Sequence, residues 1–79
     1  MRKFLTLDLH GTRHEDGEER IEKFITDHFA TLPVKIVTGH SDIFIEQTER
    51  ISQRHGLKCR PERWHNRGCW VVFNDPDAN

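Results

Sequence analysis

The 79-residue chain has no run of 18 apolar residues and only two cysteines, and each shortage excludes a class of protein. Without such a run there is no candidate membrane-spanning helix. The first residues, Met1 to Leu5, give way to Thr6 and the acidic Asp8, so they do not form the apolar core of a secretory signal. A soluble, cytoplasmic chain without a membrane partner is expected, with a monomer as the working assumption. Cys59 and Cys69 are too few for a disulfide scaffold and lack C-x-x-C spacing. Reduced thiols are expected. Cys59, His65 and Cys69, with His10 or His55, are ligand types that suit zinc, but their spacing matches no zinc template and no zinc is expected. There is no internal repeat and no low-complexity segment. With 34% hydrophobic residues the chain supports one small core, which excludes a two-domain enzyme.

The net charge of −1 hides an uneven distribution. Between residues 8 and 27, seven acids stand against three bases; between 50 and 67, Arg50, Arg54, Lys58, Arg60, Arg63 and Arg67 stand against Glu62 alone. His55, Trp64 and His65 interleave with these bases. A basic stretch carrying an aromatic is the footprint of a phosphate-backbone partner. It equally describes a solvated helix end and hairpin.

Leu5, Leu7 and Leu9 alternate with Phe4, Thr6 and Asp8 at the period of a half-buried strand, and Gly11 ends it. A helix follows. Thr12 with Glu15, or Asp16 with Glu19, has capping-box spacing, and Ile21, Phe24, Ile25, His28 and Phe29 form its apolar stripe. Gly17 weakens the helix locally and marks a place where another group comes close. Val34 to Val37 reads as a second strand. Ser41 caps a second helix carrying Phe44, Thr48, Ile51 and His55 on one face and stopping at Gly56. Leu57 to Arg60 reads as a strand ending near Pro61, Trp64 to Gly68 as a turn, and Cys69 to Phe73 as the strongest β segment, in which Trp70 has the parity of the less buried face.

The order β-α-β-α-β-β implies an α/β two-layer sandwich: a mixed four-stranded sheet with both helices on one face, the first two strands joined by a right-handed crossover and the last two by a hairpin. Residues 1–73 are read as one domain and 74–79 as a flexible tail. Leu5, Leu7, Leu9, Ile21, Phe24, Ile25, Ile36, Ile51 and Val71 are the expected core.

Asp8 and His10 are two residues apart and share a face if the strand reaches His10, at the carboxyl end where open α/β sheets place ligands. A carboxylate beside an imidazole can hold a divalent metal or share a proton; a surface pair without a role has the same spacing. Trp64 lies among arginines, where a ring can stack on an unpaired base or simply pack. Trp70 is read as structural.

Leu7-Asp8-Leu9-His10-Gly11, followed by an acidic helix bearing Gly17, resembles the L-D-L-H-G signature of the Smr (small MutS-related) domain. Val37-Thr38-Gly39-His40-Ser41 resembles part of its second signature, a strand entering a Gly-x-Gly turn, with Ser41 where the second glycine is expected. The likeness spans residues 4 to 73. It implies a sandwich like the C-terminal domain of a translation initiation factor, a link to DNA or RNA, and metal-dependent nicking or RNA cleavage. Carried over residue by residue, the resemblance gives Asp8 and His10 as catalytic and metal-holding residues, with Mg²⁺ or Mn²⁺ as the cation, and Thr38, Gly39 and His40 as the glycine turn. A turn that feeds a helix N-terminus offers backbone N–H groups to a phosphate. Lys58, Arg60, Arg63, Trp64 and Arg67 complete the expected nucleic-acid surface. The alternatives are a nucleic-acid-binding module without catalysis and a protein adaptor that docks through its acidic first helix.

Overall fold

Hydrophobic alternation in four short segments and a helical stripe in two longer ones give a computed structural model in which residues 4–64 and 66–74 are described. Strand β1 is Thr6–Asp8, helix α1 His14–Asp27, β2 Val34–Val37, α2 Asp42–Arg54, β3 Lys58–Arg63 and β4 Asn66–Phe73. The expected tail, apart from Asn74, and His65 lie outside the described residues. The sheet order is β1-β2-β4-β3, with β1 and β2 parallel and the other pairs antiparallel. The α/β fold, with its mixed four-stranded sheet and two helices, is as expected. Among the described residues no helix is long and apolar enough to cross a membrane.

Register determines which side chains face the helices. Ile36 pairs with Leu7 on one side and Trp70 on the other, and Val34 pairs with Val72, so these residues share a face. Leu9, Ile21, Ile25, Val34, Ile36, Phe44, Ile51, Leu57 and Val72 form one core cluster, with Leu7, Phe24, Leu32 and Cys59 packed against it. Three expectations change. Leu5 lies before the three-residue edge strand and is 44% exposed. Val71 is buried, but it pairs with Lys35 on the face turned away from the helices. Trp70 has the parity of Ile36 and is only 4% exposed.

Both helices start differently from each other. Arg13 precedes α1 without a side-chain cap, so neither expected capping box forms. Ser41 does cap α2, its Oγ accepting the Phe44 N–H at 3.2 Å. The helices cross at Gly17, where a Cβ would lie 2.6 Å from Phe44 Cε1 and 2.5 Å from Gln47 Oε1. Pro61 does not end β3: on an edge strand its missing N–H leaves no ladder bond broken, and the strand continues to Arg63 past a register shift.

Candidate nucleic-acid interface

The first strand ends at Asp8 because its carboxylate turns the chain. Asp8 Oδ1 accepts the His10 N–H at 2.9 Å, the Thr12 N–H donates to the Leu9 carbonyl at 2.9 Å, and Gly11 takes a φ of +79°. Asp8 and His10 therefore do not share a strand face as expected, since strand periodicity stops between them. They meet instead as lining residues of one cleft of about 230 Å³ at the carboxyl ends of β1 and β2. Leu9, 1% exposed, anchors the turn in the core.

The opposite wall is the second turn, Thr38–Ser41. Gly39 has a φ of +62°, which favours glycine. Ser41 has a φ of −79°, open to any residue, so the position where the family pattern carries glycine tolerates a side chain and uses it as the α2 cap. One expectation is corrected here. The N–H groups of Thr38 and Gly39 both donate to the Gly68 carbonyl, at 2.9 and 3.0 Å, so they are not offered to an anion. In the first turn of α2 the Phe44 N–H is taken by Ser41 Oγ, which leaves the Asp42 and Ile43 N–H groups as the ones that an α-helix leaves without an intrahelical partner.

The same bonds dock the start of β4 beside the turn. Arg63 pairs with Asn66, so Arg63, Trp64 and Arg67 stand at the cleft's end of the sheet. Trp70 fixes Arg67 there: its indole N–H donates to the Arg67 carbonyl at 2.8 Å, and the guanidinium lies 5.8 Å from the ring centre. Arg60 sits mid-sheet opposite Val71 on the open face. Lys58 pairs with Phe73 at the far end, so the structure does not bring it to this site.

Two of the six bases in the basic stretch serve the fold. Arg50 donates to both Glu18 oxygens, at 3.0 and 3.1 Å, and Arg54 donates to Glu22 at 3.1 Å. Hydrogen bonds from Arg50, then Arg54, hold the Glu18 carboxyl below its usual range. His55 is paired with Glu22. These contacts also engage two acids of the helix that an adaptor would present. Lys35 and Glu62 pair across β4, and the Lys35 hydrogen bond lowers the Glu62 carboxyl.

Sequence reasoning missed two residues beside the cleft. His14 opens α1 with its Nε2 3.4 Å from Ser41 Oγ and its ring edge-on to Phe44. Arg20 donates to Thr12 Oγ1 in the cleft wall. The His14 contacts join distant segments, and the Arg20 contact reaches back from α1 to the loop before it.

Among the described residues no group of three His, Cys, Asp or Glu side chains is placed to hold a metal ion. Asp8 and His10 supply one carboxylate and one imidazole. Of the two, only the carboxylate is a ligand type that a Mg²⁺-type ion favours, and an imidazole suits softer metals. Cys59 faces the core and Cys69, paired with Val37, faces the other way, so the two thiols do not converge. No family model, curated protein or solved structure matches this chain.

Proposed function

We propose that this domain binds DNA or RNA at the carboxyl end of its sheet, as its resemblance to the Smr family implies, in the cytoplasm and as a monomer. The observation that carries the reading is convergence: the Asp8–Gly11 turn and the Thr38–Ser41 turn wall one cleft, and the hairpin brings Arg63 and Arg67 to that end. Arg67 and Arg63 hold backbone phosphates as fixed positive charges. His40 and the first turn of α2 add hydrogen-bond donors. Fluorescence anisotropy with labelled oligonucleotides over a salt series tests this. Binding that weakens steeply with salt is expected, because each neutralised phosphate releases counterions.

One observation favours cleavage as well. A carboxylate in a phosphate-binding cleft repels its ligand unless a cation lies between them. Asp8 Oδ2 and the His10 imidazole are the groups that would hold a divalent cation, which when bound supplies Lewis acidity to a phosphodiester. Where His10 does not complete the cation's shell, its imidazole is instead the group that accepts a proton from an attacking water, and the His10 backbone N–H keeps the Asp8 carboxylate oriented. Supercoiled plasmid and structured RNA, incubated with Mg²⁺ or Mn²⁺ beside Asp8→Asn, provide the test. Cleavage lost in Asp8→Asn with oligonucleotide binding retained supports the assignment; cleavage that survives the substitution removes it.

A further inference from the structure

The two tryptophans of this chain have opposite fates. Trp70 is buried beneath Arg67, while Trp64, six residues earlier, is 90% exposed at the tip of the β3–β4 hairpin. Exposing an indole forfeits the burial of a large apolar surface. Here it stands between Arg63 and Arg67 on a tip whose base is tied down by the Arg63–Asn66 pairing, by the Asn66 Oδ1 bond to the Gly68 N–H at 2.9 Å, and by the Trp70 bond to Arg67. At about 3.3 Å per strand residue, Asn66, where β4 begins, lies about 7 Å along β4 from Gly68, which carries the glycine turn of the cleft.

From this placement we infer that Trp64 is a stacking platform for an unpaired nucleobase, so that the substrate class of this domain is single-stranded nucleic acid. The inference rests on the nucleic-acid reading above and narrows it. In a duplex each base face is covered by its neighbours, and only an unpaired or splayed base offers a face to an indole. Arg63, next to Trp64 in the chain, and Arg67, across the hairpin's start, would hold phosphates near that base. Stacking is tolerant of base identity, because every base has a π face. Trp64 is four residues from Gly68 at the cleft rim, a separation that lets one strand engage both: a base on Trp64 and a phosphate at the cleft.

The test compares wild type, Trp64→Ala and Trp64→Phe on labelled 15-nucleotide deoxythymidine and uridine strands and on a mixed-sequence duplex of the same length. Wild type is expected to prefer the single strands, the deoxy and ribo arms showing whether the sugar matters. Trp64→Ala is expected to weaken single-strand binding roughly five- to 150-fold, to leave duplex binding and the salt slope unchanged, and to melt at the wild-type temperature. Trp64→Phe should restore most of the affinity. Intrinsic fluorescence gives a second readout: quenching by single strands should be strong in wild type and absent in Trp64→Phe, where only the buried Trp70 remains. Equal binding by wild type and Trp64→Ala, or a wild-type preference for duplex, overturns the stacking role while leaving the nucleic-acid reading intact. Absence of binding to every strand at low salt overturns both.

Discussion

Gly17 is the tightest point between the helices, and its replacement sets two effects against each other. Alanine in a helix interior gains about 1 kcal/mol over glycine. The added Cβ would meet the Phe44 ring at 2.6 Å, and that ring is held in the core. Overpacking costs about 1–3 kcal/mol, so Gly17→Ala is expected to lower the urea midpoint despite the better propensity. Leu9→Ala should cost about 2–5 kcal/mol by emptying a fully buried site, and because Leu9 anchors the Asp8–His10 turn, it should also weaken oligonucleotide binding. A urea titration beside the binding assay separates the two effects. The cysteines behave differently again. Burial raises both thiols, with nearby Glu49 adding to Cys59 and Glu62 to Cys69, and they face opposite sides of the hairpin. Slow reaction with a thiol reagent at neutral pH is expected, rising to two free thiols in denaturant; a reagent count below two would show a disulfide.

At the scale of elements, α1 and α2 are joined by a lattice of ion pairs running from Glu22 through Arg54, Glu18 and Arg50 to Glu46. Glu18 and Glu62 both have folded-state carboxyls below their unfolded values. Their contribution is therefore present above the ordinary glutamate range and lost as pH falls through it and below. Urea midpoints measured from neutral to acid pH should decline in that direction, and a Glu18→Gln, Glu62→Gln variant should show a shallower decline. The pairs are exposed, so each adds little and salt reduces it. Much of this layer was legible beforehand: Ser41 capping α2, Gly56 stopping it, Gly17 at a close approach and the order of elements along the chain all follow from local periodicity and turn chemistry. What was not legible depended on register and length. Leu5 fell outside a strand too short to reach it, Trp70 took the core face because β4 registers it against Ile36, and Asp8 and His10 met across a turn where strand parity no longer applies. The partners of Arg50 and Arg54 lie on another helix, and charge counting along the chain cannot see them.

For the whole molecule, the useful distinction is between the two ends of the sheet. Charge reversal at Arg63 and Arg67 should weaken oligonucleotide binding and flatten its salt dependence, since both stand at the cleft's end. Lys58→Glu, at the opposite end, should change neither. Equal losses from all three would place the partner along the open face rather than at the cleft. The strand order also governs how the chain is made. β4, the last described strand, is the one inserted between β2 and β3. During synthesis Val34 and Ile36 therefore have no antiparallel neighbour until residues 69–72 have left the ribosome. Both helices can form earlier, but the sheet cannot close around its centre, and loop-closure entropy must be met before the long-range pairing stabilises it. A stalled nascent chain ending before Cys69 should thus remain protease-sensitive, and protection should arise in one late step.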